Sequence, residues 1–114
     1  MCLDHIALIV SKEENLKFYE KLGFKEIDRI DRKYDKVVFM KCDEIALEIF
    51  VDSRHPRRKD DIEFQGLRHI AFCVKNLEEI MSSFLCSKTE TDWFGKKYIL
   101  LKDPDGQLIE LKEG

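Results

Sequence analysis

Apolar and polar residues alternate in a short segment near the start of the chain. Ile6, Leu8 and Val10 form the apolar side of a period-two pattern, which is typical of a β-strand with one buried face. The motif LDHIA at residues 3–7 returns as LRHIA at residues 67–71. A repeat of this kind predicts a duplicated structural unit.

Each copy continues into a segment with the features of a helix start. Ser11 is followed by Glu14, and Asn76 is followed by Glu79. In both places the first side chain is suited to cap free backbone N–H groups. We therefore predict a helix after each strand, the first ending at Gly23. The apolar stripes are Leu16, Tyr19 and Leu22 in the first helix, and Leu77, Ile80, Met81, Phe84 and Leu85 in the second.

Three further strands are predicted in each copy, the last two joined as a hairpin by turns near Asp43 and at 103–106. The fold class is therefore α+β, with two tandem β-α-β-β-β modules in one domain, 1–114. Module one is 1–51, the linker is 52–66 and module two is 67–114. The predicted strands are Lys25 to Arg32, Val37 to Lys41, Ile45 to Val51, Thr89 to Phe94, Tyr98 to Lys102 and Leu108 to Leu111.

The linker carries a cluster of cations interleaved with acidic residues. A loop of this length is either functional or solvated. The mixed signs favour a solvated surface, and the density of cations equally favours a site for an anionic substrate. Arg57 and Arg58 are candidates for substrate binding, and His55 is interpreted as a loop residue. The charged residues are Arg54, Arg57, Arg58, Lys59, Asp60, Asp61 and Glu63.

Composition narrows the function classes. The 114 residues carry a net charge of −3 and no basic block, which excludes a nucleic-acid partner. The longest apolar run, residues 6–10, is far shorter than the ~20 residues needed to cross a membrane. We therefore expect a cytoplasmic protein. The four cysteines lack C-x-x-C spacing and are interpreted as reduced packing residues.

Two histidines and two glutamates recur at matching places of the two copies. Strand alternation puts each of them on a face with small or apolar neighbours. A carboxylate inside an apolar strand needs a cation or a metal. No lysine is predicted on the same faces, so a metal is favoured. A single strand histidine is more often a hydrogen-bonded core residue, and only the repetition favours metal. The four residues are His5, Glu48, His69 and Glu110.

Imidazole and carboxylate donors suit one divalent Ni, Co, Zn, Mn or Fe ion, and the lack of thiolates argues against a closed structural zinc site. Four ligands leave open positions for water or substrate. Cys73 shares the face of His69 and is interpreted as core filler. Trp93, Phe94 and Tyr98 either wall a pocket or fill the space between sheet and helix.

Four segments resemble the glyoxalase/bleomycin-resistance/dioxygenase superfamily, the vicinal oxygen chelate fold. They are LDHIA at 3–7, ALE at 46–48, GLRHIAF at 66–72 and DPDGQLIEL at 103–111. The resemblance covers the whole chain and is strongest to small bacterial glyoxalase I-like proteins, often labelled lactoylglutathione lyase. It implies a cupped, incomplete barrel around one divalent metal held by the same four residues.

The resemblance also implies an activity. Glyoxalase I is a lyase that moves a proton between adjacent carbons of a metal-chelated hemithioacetal. Glu110 matches the family's base, and Glu48 matches a ligand or second proton-transfer group. Ile9 and Asp52 stand where bacterial glyoxalase I has an Arg and an Asn that grip glutathione, so the substrate is less well indicated than the chemistry.

Other functions on this fold stay open. An epimerase, a thiol transferase or a dioxygenase would also use a metal, and a small-molecule binding protein would not need one. Relatives usually form dimers, and an open sheet leaves strand edges to cover. We therefore expect a homodimer that acts on a small molecule.

Overall fold

The structure is a computed structural model that describes residues 1–59 and 63–114. It contains two compact units, Met1–Arg57 and Arg58–Gly114. Each unit has one four-stranded mixed sheet and few helical residues. The α+β class and the repeated β-α-β-β-β order are therefore confirmed. Of the predicted linker, Asp60 and Asp61 lie outside the described residues.

The first unit has the strand order β1-β4-β3-β2. β1 runs parallel to β4. The helix after β1 carries the chain back, so that β2 runs in the same direction as β1. The antiparallel pairings of β2 with β3 and of β3 with β4 then give β4 that direction too. β3 and β4 form the predicted hairpin, in which Asp43 adopts a positive φ of 50°. The elements are β1 (Ile6–Val10), a 3-10 turn (Glu13–Asn15), α1 (Leu16–Lys21), β2 (Lys25–Asp31), β3 (Lys36–Cys42) and β4 (Ile45–Val51).

The second unit repeats this arrangement with the order β5-β8-β7-β6. β5 pairs with β8 in parallel, and β7 pairs with β8 antiparallel. The last strand extends to Glu113, two residues beyond the predicted end at Leu111. The elements are β5 (Ile70–Val74), α2 (Leu77–Met81), β6 (Glu90–Thr91), β7 (Lys97–Lys102) and β8 (Leu108–Glu113).

One face of each sheet supplies the core, as the period-two pattern predicts. Leu8 and Val10 of β1 are buried, whereas Ala7 and Ile9, which alternate with them, are exposed. In β5, Ile70 and Phe72 are likewise buried. The largest fully buried side chains are Tyr19, Met40, Leu47, Ile49, Leu77, Ile99, Ile109 and Leu111.

The two helix starts differ. Asn76 is the predicted N-cap of α2, and its Oδ1 accepts the Glu79 backbone N–H at 3.1 Å. The N-cap of the first helical turn is Lys12 rather than the predicted Ser11, and Lys12 provides no side-chain cap. The Ser11 hydroxyl accepts a hydrogen bond from the Asn15 side-chain amide at 3.1 Å.

The second helix and the strand after it are shorter than predicted. The Ser82 hydroxyl donates to the Glu79 carbonyl at 2.8 Å, a local bond that competes with helix continuation. Leu85 therefore lies beyond the helix and is 98% exposed. β6 ends at Thr91, because Asp92 accepts the backbone N–H groups of Phe94 and Lys96 and turns the chain.

Several predictions about side-chain burial are wrong. The cysteines are free, as expected, but Cys2 and Cys73 are exposed rather than packed in a core. Trp93 is 97% exposed and Phe94 is nearly as open, so neither fills the space under a helix. Among the described residues, no helix has the length and hydropathy needed to span a membrane.

Candidate functional site

The first unit brings His5 and Glu48 together. Glu48 in β4 lies opposite Ala7 in β1, and His5 precedes Ala7 by two residues on the same face. His5 Nε2 is 3.1 Å from Glu48 Oε2. The pairing of β1 with β4, two strands rich in β-branched residues, therefore places an imidazole beside a carboxylate on the open face of the sheet.

Asp4 orients the His5 ring. Its Oδ2 lies 2.7 Å from His5 Nδ1, and this hydrogen bond raises the pKa of His5. The carboxylate only accepts, so Nδ1 carries the proton. In a neutral His5 the Nε2 lone pair is then available to a cation on the side of Glu48.

The second unit brings His69 and Glu110 together at the equivalent places. Glu110 in β8 lies opposite Ala71 in β5. His69 Nε2 is 3.9 Å from Glu110 Oε1, a looser approach than in the first unit. The backbone register is the same, so the difference lies in the side chains around the ring.

Arg68 holds the His69 ring in the opposite way. Its Nη1 lies 3.2 Å from His69 Nδ1, and its Nε donates to Glu63 at 2.8 Å. A guanidinium only donates, so Nδ1 accepts and a neutral His69 carries its proton on Nε2, towards Glu110. Ligation through Nε2 requires Arg68 to release Nδ1.

A lysine lies on the face of Glu110, contrary to prediction. Lys112 is two residues after Glu110 in β8, and the predicted strand ended one residue too early to include it. The Lys112 ammonium forms an ion pair with Asp92. This bond lowers the pKa of Asp92 to about 2, so the charge of Lys112 is already paired.

The donor chemistry of both pairs fits a divalent metal. Each pair offers one imidazole nitrogen and one carboxylate, which are common ligands of transition metals. Within either unit, the residues described contain no group of three or more His, Cys, Asp or Glu side chains able to hold a metal. Each unit thus provides half of the predicted set, and the convergence of all four residues stays a prediction.

The three residues predicted to bind substrate belong to neither His–Glu pair. Arg58 lines a cavity of ≈ 80 Å³ whose lining includes neither His69 nor Glu110. Arg57 is the last residue of the first unit, and Trp93 lies in the open turn after β6. Their role in binding stays a prediction.

The first unit has a cavity of ≈ 390 Å³ that Arg32 and Arg54 line together with Asp35 and Asp52. Ile9 and His55 also line it. Sequence reasoning singled out Ile9 and Asp52 through the resemblance and treated His55 as a loop residue, but it missed Arg32 and Asp35. Arg54 appeared only as one cation of the linker. Arg32 and Asp35 come from the turn between β2 and β3, and no sequence motif connects them with residues 52–54. The pairing of β4 with β3 and β1 brings these segments together.

Comparison with known proteins agrees with this architecture. Uncharacterized protein YwkD of Bacillus subtilis (strain 168) is 33% identical, with 97% of this chain and 95% of the relative aligned. The crystal structure of a glyoxalase family protein from Enterococcus faecalis matches with a TM-score of 0.88 at 34% identity, covering 98% of this chain and 97% of that one. The structure of SMU.1112c matches with a TM-score of 0.86 at 32% identity, covering 99% and 98%.

The sequence profile of one family extends over both units. It matches residues 2–111, from before the first histidine to beyond the second glutamate. The resemblance seen in the four sequence segments is thereby confirmed. Together with the repeated strand order and the repeated His–Glu pair, this match shows that the chain belongs to the glyoxalase/bleomycin resistance protein/dioxygenase superfamily.

Proposed function

We propose that this chain is a divalent-metal-dependent, glyoxalase I-like lyase that moves a proton on a hemithioacetal or similar small carbonyl substrate. The observation that carries the proposal is the repeated pair, with His5 Nε2 at 3.1 Å from Glu48 Oε2 and His69 Nε2 at 3.9 Å from Glu110 Oε1. The membership of a superfamily with glyoxalase members supports the same reading.

The proposed metal ligands are the two pairs acting together. His5 and His69 would each give one ring nitrogen, and Glu48 and Glu110 one carboxylate oxygen each. Ni, Co, Zn, Mn and Fe(II) all accept this donor set. When bound, a divalent ion would polarise the substrate oxygens and acidify the adjacent C–H group.

The two glutamates are proposed to have unequal roles. Glu48 lies in the tighter pair, with a histidine that Asp4 orients. Glu110 lies in the looser pair, so its carboxylate is less committed to the neighbouring ring. Glu110 would take the proton from one substrate carbon and return it to the next, with Glu48 as ligand or second proton-transfer group.

Metal content and turnover test this proposal. Protein purified without chelator is analysed for metals, stripped, and reloaded with each candidate ion. It is then assayed with hemithioacetals of methylglyoxal and several thiols. We expect one divalent ion per active site and metal-dependent thioester formation with at least one thiol. An epimerase substrate panel run in parallel identifies the alternative proton-transfer reaction.

The three histidines provide matched variants. His69→Gln is expected to lose bound metal, whereas His55→Gln, which alters the only histidine outside the pairs, is expected to retain it. Bound metal without turnover of any hemithioacetal would contradict the lyase activity. Absence of metal binding would contradict the whole proposal and favour a small-molecule binding protein.

We further propose that the protein is a homodimer. In the described part of the chain, the sheet orders make β1, β2, β5 and β6 edge strands. An edge strand can pair with another chain. Light scattering at micromolar concentration measures the mass directly. A monomer mass would contradict this proposal. The cytoplasmic location of the protein stays a prediction from the sequence.

A further inference from the structure

The ≈ 390 Å³ cavity of the first unit opens on the sheet face that carries Glu48. Ala7 and Ile9 of β1 and Phe50 of β4 supply its apolar part. Ala7 is paired with Glu48, and Ile9 with Phe50. The cavity therefore begins one residue pair away from the His5–Glu48 pair and extends along the strands. Its volume is within the roughly 300–1,000 Å³ of small-molecule sites.

Two arginines at the polar end of this cavity are held rigidly by carboxylates. Arg32 Nε and Nη2 donate to the two oxygens of Asp35, both at 2.6 Å. Arg54 Nε and Nη2 donate to the two oxygens of Asp52 at 2.8 and 2.7 Å. The Asp35 and Asp52 side chains are only 6% and 4% exposed, and the arginines cover them. Each two-point contact fixes the plane of one guanidinium.

Aromatic rings support both guanidinium groups from another side. The Arg32 guanidinium lies over the Phe50 ring at 5.5 Å, and that of Arg54 lies over the Tyr34 ring at 5.4 Å. Side chains ordered in advance lose little entropy when a ligand binds. The cavity thus has a preorganised polar end and an apolar wall. Phe50 belongs to both, because it lines the wall and its ring supports Arg32.

The polar end offers hydrogen-bond donors rather than excess charge. Within the described part of the chain, the hydrogen bonds of both arginines use Nε and Nη2. Nη1 of each arginine is left to donate to a ligand. The charges of Asp35 and Asp52 balance those of the arginines. His55 also lines the cavity, with its Nε2 3.3 Å from Asp52 Oδ2. A site whose charges are balanced in this way disfavours a dianion such as phosphate. A planar, singly charged carboxylate matches two fixed planar donors best.

We propose that this cavity binds the carboxylate of a small acid that has an apolar arm. Arg32 and Arg54 hold the carboxylate, and Ile9 and Phe50 contact the arm. The inference deepens the proposed function, because it makes the cavity the site that selects the substrate converted beside Glu48. That part of the inference rests on the proposed function. Carboxylate binding itself requires no metal and is measurable alone.

Titration of the metal-stripped full-length protein tests the inference by NMR. The probes are butyrate, butyramide, which has the same apolar arm without the charge, and inorganic phosphate. We expect butyrate to shift the resonances of Ile9, Phe50 and the two arginines. Its affinity should exceed that of butyramide by about tenfold, the usual gain for hydrogen bonds to a charged group. Phosphate should bind more weakly than butyrate.

Arg32→Gln is the diagnostic variant, with Arg29→Gln as its matched control. Arg29 lies on β2, three residues before Arg32. It is also paired with carboxylates, those of Glu26 and Glu13, but it does not line the cavity. We expect Arg32→Gln to weaken butyrate binding about tenfold and to leave butyramide binding nearly unchanged. Arg29→Gln should bind both probes like the unaltered protein.

Ile9→Asp is a second variant that leaves both arginine–aspartate pairs in place. Ile9 is half-exposed, so the substitution is compatible with folding even if Arg32→Gln is not. The added charge should weaken butyrate binding more than butyramide binding. Equal affinities for the two probes, tighter binding of phosphate, or equal behaviour of Arg32→Gln and Arg29→Gln would each overturn the inference. Failure of the proposed function instead appears as absent metal-dependent turnover with butyrate selectivity intact.

Discussion

The two units share a backbone plan around the His–Glu pair but differ in the side chains that surround it. Glu48 and Glu110 face an alanine of the parallel neighbouring strand in the same register. Two residues further along, the first unit has Phe50 and the second has Lys112. The first surface therefore becomes a cavity with an apolar wall, and the second becomes an ion pair between Lys112 and Asp92.

The ends of the final strands show the same divergence on a repeated backbone. The Asp52 N–H donates to the Val10 carbonyl at 2.9 Å, and the Gly114 N–H donates to the Val74 carbonyl at 3.1 Å. Asp52 uses its side chain to hold Arg54, which lowers the pKa of Asp52. At Gly114 an added Cβ would contact Cys73 at 3.4 Å. The repeat thus preserves the His–Glu pair, while the side chains around the pair differ between the two units.

The largest expected effect separates the roles of the two glutamates. Glu110→Gln should retain much of the metal, since an amide oxygen still coordinates, but should lower turnover by about 10²- to 10⁴-fold because an amide accepts no proton at neutral pH. Steady-state kinetics of the reloaded enzyme measures this. Glu48→Gln is the matched variant and should lose less. Unaltered turnover of metal-loaded Glu110→Gln would refute the proton-transfer role.

Equivalent core substitutions should lower the stability of the two units by similar amounts, although the surroundings of their His–Glu pairs differ. Ile49 and Leu111 follow the two glutamates directly and are both fully buried. Truncation of either residue to Ala should lower the free energy of unfolding by about 2–5 kcal/mol, through lost burial and the cavity created. Urea unfolding measures the change. Ile27→Ala, at an exposed site of β2, is the control, expected within about 0.5 kcal/mol.

The opposite settings of the two histidines predict opposite responses to their neighbours. Asp4→Asn removes the carboxylate that keeps the proton on His5 Nδ1 and should weaken metal binding about 10- to 100-fold. Arg68→Gln removes the donor to His69 Nδ1 and should not weaken it. Calorimetric titration of the stripped protein with the preferred ion compares the two. Equal weakening by both variants would show that ring orientation does not distinguish the units.

The smallest expected difference in stability is between substitutions at the two helix starts. Asn76→Ala removes the side-chain cap of α2 and should cost about 1 kcal/mol of stability. Lys12→Ala alters the cap position of the 3-10 turn, where no side chain caps, and should change stability by less than about 0.5 kcal/mol. Thermal or urea unfolding resolves this gap, and equal losses would contradict it.

Local patterns in the sequence were sufficient for the order of strands and helices along the chain and for singling out His5, Glu48, His69 and Glu110. Period-two alternation assigned Leu8 and Val10 to the core, and the repeated motif placed His5 and His69 at equivalent positions, because side-chain direction in a strand depends only on sequence spacing. The same logic failed at Lys112, where the strand continued past its predicted end. At the first helical turn the N-cap is Lys12 rather than the predicted Ser11.

The grouping of the charged residues in the cavity beside Glu48 was decided by tertiary structure alone. Arg32 and Asp35 at one turn, and Asp52 and Arg54 after another strand, carry no spacing that links them. Their proximity results from the order β1-β4-β3-β2, which brings segments distant in sequence to one end of a sheet. Sequence by itself determined which residues face which side of a strand, because that is a local property of the backbone. Which side chains meet across strands depends on register and sheet order, and these are settled only when the whole core packs.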